Sequence, residues 1–224
     1  MDSAHFTGNE VQKLRGLGEF RNRVLPWLAL GLLAVLALWI VLAPAETRLG
    51  DLLKLVYVHG ALVWTGLLAF SLAGLLGLSA LVMRQPLWYR GTEAAGLAAL
   101  IIWGIYMISA MAVTALTWGQ LIAWNEPRVR ATGSILIAAL VLQVVARLVD
   151  HRDFTAAVQV IMGVLPWVLV RQADAIRHPI DPIGGSGSAA IQAFYWLIVV
   201  TVGALAATLV AWLWSGAELK ARDQ

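Results

Sequence analysis

The chain alternates between long apolar runs and short polar stretches, a pattern typical of a membrane-spanning helix bundle. A helix needs about 20 apolar residues to cross a hydrocarbon core of roughly 30 Å. Six runs satisfy this requirement, and we predict spans at 24–43, 52–83, 94–117, 131–149, 154–170 and 191–214. The predicted fold is therefore all-α, a polytopic membrane protein with a bundle of six transmembrane helices.

The polar stretches divide the chain into three parts: a head, 1–23, a membrane domain, 24–214, and a tail, 215–224. We expect the head to be flexible, because its glycines (Gly8, Gly16 and Gly18) disfavour a stable helix. Thr92 and Glu93 are typical of a helix start, and Pro166 is expected to kink the fifth span. The stretch 43–45 mimics a signal-peptidase site, but the long apolar run before it favours a retained span.

Composition supports the membrane interpretation and excludes several classes of function. Apolar residues make up 60% of the 224 positions and charged residues only 13%, which is unlike a soluble domain. The net charge of +3 comes mostly from arginines in connecting segments, so it does not indicate nucleic-acid binding. Since the chain has no cysteine, it forms no disulfide and attaches no heme through a C-x-x-C-H motif.

Lysine and arginine counts predict the orientation of the bundle. Ten of these residues lie in the head, the tail and the second and fourth connections, whereas six lie in the other three connections. The positive-inside rule then places both termini in the cytoplasm. Its consequence is that the start of the second span and the third and fifth connections face outward.

Three outward features could bind one ligand together. The polar stretch 117–130, here called the tryptophan loop, contains Trp118 and Trp124; His59 lies near the outer end of the second span, and His178 lies in the fifth connection. Two histidines can hold a heme iron from opposite faces, while aromatic rings cover the porphyrin and cations meet its carboxylates. The candidate cations are Arg48, Lys54, Arg128, Arg130, Arg171 and Arg177.

The same residues resemble a known family. The string Trp118-Gly119-x-x-x-x-Trp124-Asn125, followed by Pro127-Arg128, is similar to the tryptophan-rich motif of CcmC proteins, which handle heme in cytochrome c maturation. The segment ending in His59 looks like the family's first heme-ligating histidine, and the approach to His178 looks like its second. The order of six spans agrees, so the resemblance covers nearly the whole chain.

This resemblance implies a bacterial inner-membrane protein that binds and transfers heme and is not an enzyme. It implies transient, non-covalent binding of heme b between His59 and His178, with stacking on Trp118 and Trp124. In the motif, Asn125 replaces the family's acid and Arg128 is the candidate propionate partner. The implied partners are the subunits of an ABC-type heme exporter, a small single-span membrane protein and a periplasmic heme chaperone.

The chain departs from the family pattern within the motif. Leu121 and Ile122 stand where members have further tryptophans, Asn125 stands for an aspartate, and Glu126 looks like an additional residue. An aromatic pair is also missing before the second histidine, at 171–175. Leucine and isoleucine can still pack against a porphyrin, and asparagine keeps the shape of aspartate without its charge.

Several alternatives remain open. Trp118 and Trp124 could be interfacial anchors, Gly119 a turn residue and His178 a solvated side chain. The other tryptophans considered are interpreted as anchors or packing: Trp27, Trp39, Trp88, Trp103, Trp167, Trp196, Trp212 and Trp214. A scaffold subunit without heme is one alternative function, and a b-type electron carrier is another. Ion-coupled transport is disfavoured, because the span interiors hold only uncharged polar groups such as Gln143, Gln159 and Gln192.

Overall fold

The computed structural model describes residues 16–46, 49–176 and 183–222, and these ranges contain six helices of membrane-spanning length and apolarity. The first span, Gly16–Leu42, includes a π-helical turn, Phe20–Val24, followed by the α-helix Leu25–Leu42 (α1). The remaining helices are Leu52–Met83 (α2), Pro86–Trp118 (α3), Pro127–Val149 (α4), Arg152–Gln172 (α5) and Ala189–Arg222 (α6). Within the described ranges no strand forms, which confirms the all-α fold and the number of spans.

Two of the helices that begin earlier than hydropathy indicated, α3 and α4, begin at a proline. The prediction that α3 starts at Thr92 is wrong, since Pro86 already occupies its first turn and the Thr92 hydroxyl donates to the carbonyl of Trp88 within the helix. Proline suits the first helical position, where its fixed φ is favourable and its missing N–H is not needed. Pro127 starts α4 in the same way.

Glycines of the predicted head do not prevent residues 16–23 from forming a helix, and α5 continues through Pro166, where the expected kink stays a prediction. Gly16 and Gly18, in the segment predicted to be a flexible head, lie in a helix that continues into the first span. Pro166 lies inside α5, and the helix continues past it to Gln172.

Small residues bring α2 and α5 into close contact. A Cβ atom added at Gly74 would lie 2.9 Å from the Cα of Gly163, and one added at Gly77 would lie 2.7 Å from the carbonyl oxygen of Ala156. Such residues let helix backbones approach within a membrane, where the hydrophobic effect does not drive helices together. The crossing at Gly74 lies 15 residues beyond His59, about 22 Å along α2 at 1.5 Å per residue.

The first and last described helices meet at one end of the bundle, where their side chains contact each other and α3. The Nε of Arg21 donates to the carbonyl of Trp212 at 3.3 Å, and its guanidinium carbon lies 4.6 Å from the Trp212 ring centroid. Arg90 forms two hydrogen bonds with Glu218, of 2.7 and 2.9 Å. The opposite end carries the connections that follow α1, α3 and α5; we call it the tryptophan-loop end.

Candidate functional site

A cavity of about 520 Å³ opens at the tryptophan-loop end, within the size range of small-molecule and cofactor sites. Five helices and the tryptophan loop contribute to its mostly apolar wall. Three of the residues that the family resemblance assigns to heme binding line it together, although they belong to three different elements: His59 on α2, Trp118 at the end of α3 and Arg128 in the first turn of α4.

One face of α2 forms a continuous side of the cavity. Its lining positions follow helical spacing: Val56, His59, Gly60, Val63, Trp64 and Leu67. Gly60 is required by the close approach of α6, because a Cβ atom there would lie 3.1 Å from the ring of Tyr195. This face carries His59 into the cavity and places Trp64 about 7.5 Å further from the mouth.

The protein holds the His59 ring through its Nδ1 atom. Nδ1 lies 3.2 Å from the Ser109 hydroxyl oxygen, and that hydroxyl donates its proton to the carbonyl of Tyr106 at 2.7 Å. Because the hydroxyl has one proton, it accepts from Nδ1–H, and we infer that Nδ1 is protonated. Histidines that bind iron are commonly oriented by such a hydrogen bond to the other ring nitrogen. The ring centroid of Tyr106 lies 5.0 Å from that of His59.

The start of the tryptophan loop is fixed by the end of α3. Trp118 is the last helical residue, and Gly119 follows with φ of 67°, the left-handed conformation common after a helix. The Gly119 amide donates to Ala115, and the Thr114 hydroxyl donates to the carbonyl of Leu121 at 2.8 Å. Gly119 therefore acts as a turn residue that positions Trp118 and does not itself line the cavity.

The rest of the motif divides between the cavity and the surface. Leu121 and Ile122, which stand where the family has tryptophans, both line the cavity. Trp124 and Asn125 do not; both are exposed, and Trp124 retains 63% of its accessible surface. Trp118 therefore lines the cavity, whereas Trp124 is exposed and does not.

Glu126 is a site residue that the sequence analysis missed. It is only 1% exposed, it lines the cavity, and its Oε1 accepts a hydrogen bond from the backbone amide of Ile176 at 3.1 Å. This contact joins the tryptophan loop to the connection between α5 and α6. An acid directly before a helix-initiating proline was the available signal, but it was interpreted as an additional residue in the motif.

Arginines provide the positive charge of the cavity. Arg128 and Arg171 both line it, and the Nε of Arg128 is buried with no hydrogen-bond partner among the described residues. A buried donor without a partner is unfavourable by about 1–3 kcal/mol, which suits this position to an acidic ligand group. Lys54 instead contacts Asp51 and the carbonyl of Val41.

The remaining sequence candidates lie elsewhere. Arg130 is exposed and does not line the cavity. His178, Arg48 and Arg177 lie outside the described residues. Trp103, interpreted as an anchor or a packing residue, is a packing residue. It is fully buried, and its ring contacts the rings of Tyr106 and Phe70. Its Nε1 donates to the carbonyl of Thr132.

Comparison with protein-family models gives no match for this chain. The chain is similar to a curated protein named heme exporter protein C from Bradyrhizobium diazoefficiens. The two are 26% identical over 204 aligned residues, which cover 84% of this chain and 74% of that protein. This similarity supports a CcmC-like family, and the six membrane-length helices agree with a multi-pass membrane protein.

Proposed function

We propose that this protein binds heme b non-covalently in the cavity at the tryptophan-loop end and delivers it to a periplasmic heme chaperone during cytochrome c biogenesis. The observation that carries the proposal is that His59, Trp118 and Arg128 line one cavity of about 520 Å³. The similarity to a protein named heme exporter protein C supports heme as the ligand and the bacterial inner membrane as the location.

The described residues fit a heme, and each has a specific role in the proposal. His59 would hold the heme iron through its imidazole, whose Nδ1 is held by Ser109. His178, two residues beyond Ile176, supplies the second ligand. Trp118 covers one part of the porphyrin surface, with Leu121 and Ile122 beside it in the wall. The heme is the cargo and is transferred whole, so the protein breaks no covalent bond in it.

Arginine contacts and exposed loop residues account for binding and release. Arg128 and Arg171 bind the propionates, since both line the cavity and Arg128 has a buried Nε available as a donor. Trp124 and Asn125 are exposed on the loop, and this exposure supports a role in contact with an incoming chaperone. We therefore assign them to the handover and assign the enclosed residues to binding.

The orientation and partners complete the proposal. The termini lie in the cytoplasm and the tryptophan-loop end faces the periplasm, as the distribution of lysine and arginine predicts. The resemblance to CcmC supports assembly with the subunits of an ABC-type heme exporter and with a small single-span membrane protein. The function is heme storage and transfer within the membrane, not catalysis.

Titration of purified protein with hemin tests the proposal. His59→Ala should lower hemin affinity strongly, because it removes an axial ligand, whereas His151→Ala should leave it unchanged. His151 is a suitable control because it lies before α5, away from this cavity. Equal losses in both variants, or no loss in either, would contradict the assignment of His59.

A scaffold subunit that binds no heme is the second candidate. It is favoured by the absence of indoles at Leu121 and Ile122 and by the exposure of Trp124. Under this alternative the wild-type protein would bind no hemin in the same titration, yet it would still associate with its membrane partners.

A further inference from the structure

Two tryptophans outside the sequence motif, Trp64 and Trp167, line the cavity. Their ring centroids lie 6.0 Å apart with an interplanar angle of 61°, an edge-to-face arrangement. The Nε1 of Trp167 donates to the Ser71 hydroxyl at 2.8 Å, and that hydroxyl donates to the carbonyl of Leu67 at 3.0 Å. This chain of hydrogen bonds holds the Trp167 ring against α2.

The pair lies between the mouth of the cavity and the tight crossing of α2 and α5. Along α2, Trp64 is five residues beyond His59, about 7.5 Å further from the mouth, and Gly74 follows ten residues later. Along α5, Trp167 is one turn further from the mouth than Arg171, and Gly163 follows one turn deeper. The wall of the cavity thus changes from arginines near the mouth to indoles further inside.

Trp64 combines contact with Trp167 and access to the cavity. The residue is 43% exposed while it contacts Trp167 and lines the cavity. A flat aromatic ring in that position offers a large apolar contact area.

We propose that Trp64 and Trp167 form an aromatic wall that binds the apolar edge of the porphyrin inside the bundle and directs its carboxylates toward Arg128 and Arg171. This inference rests on the proposed function and assigns the orientation of its ligand. The wall supplies, from within the helices, the aromatic contact that Leu121 and Ile122 cannot provide. The wall does not need the exposed indole of Trp124.

The wall can be tested by measuring the affinity of the protein for hemin and for hemin dimethyl ester. Both carboxylates are blocked in the ester. Trp64→Ala and Trp167→Ala should each weaken binding of both compounds roughly 3- to 10-fold, because the wall acts on the apolar edge. Arg128→Ala should weaken binding of hemin and leave binding of the ester unchanged. Trp196→Ala is the matched control, since Trp196 is 55% exposed and does not line the cavity.

Further variants keep the test decisive if an alanine variant fails to fold. Trp64→Phe and Trp167→Phe retain a ring and should show smaller losses than the alanine variants. Unchanged affinity in the tryptophan variants, with wild-type protein that binds hemin, would overturn the wall and leave the proposed function intact. Wild-type protein that binds neither compound would overturn the proposed function as well.

Discussion

The hydrogen bond between Glu126 and Ile176 gives a prediction that does not depend on heme. Glu126→Ala removes a buried carboxylate oxygen that lies 3.1 Å from the Ile176 amide. Hydrogen bonds to charged groups contribute about 1.5–3 kcal/mol, and 1.36 kcal/mol corresponds to a factor of ten. Amide exchange at Ile176, measured by hydrogen–deuterium exchange, should therefore become about 10- to 150-fold faster.

Two control variants separate this contact from a general effect on the connection. Glu126→Gln keeps a neutral acceptor and should give an intermediate rate, because a neutral hydrogen bond contributes about 1 kcal/mol. Asp174→Ala removes an exposed acid from the same connection and should leave the Ile176 rate unchanged. An Ile176 amide that exchanges at the wild-type rate in Glu126→Ala would refute the coupling between the two connections.

Further predictions concern the histidine and the helix crossing. Ser109→Ala removes the acceptor of His59 Nδ1–H and should weaken hemin binding roughly 10-fold. Ser79→Ala alters only a bond within α2 and should leave hemin binding unchanged. Equal affinities of the two variants in a hemin titration would contradict the role of Ser109 in orienting the His59 ring. Gly74→Ala places a Cβ atom against Gly163 and should destabilise the protein by about 1–3 kcal/mol. Gly104→Ala has open space around it, so a thermal-unfolding midpoint lowered equally in both variants would argue against the close contact.

The number of helices could be predicted from the sequence because each apolar run is long enough to cross a bilayer. Helix ends were harder to predict, since hydropathy detects only the apolar part of a helix. Arg90 and Glu218 illustrate the difference: both are charged, both lie in helices beyond the apolar runs, and they form an ion pair with each other. Long-range pairing of this kind is not visible in a local pattern.

The candidate site could be predicted only in part. His59 was recognisable because an ionisable side chain in an apolar run is costly and usually functional. Trp64 and Trp167 gave no comparable signal, since an indole in a membrane helix has the same sequence context whether it faces lipid or a cavity. Glu126 was missed because its partner, the amide of Ile176, is 50 residues away along the chain.

The absorption spectrum of the purified protein tests the central claim most directly. Wild-type protein should show a Soret band with the features of six-coordinate heme, both air-oxidised and after reduction with dithionite. The double variant His59→Ala/His178→Ala should lose that band. A wild-type protein that stays colourless after heme is supplied, or a double variant with an unchanged band, would contradict heme binding through these two histidines.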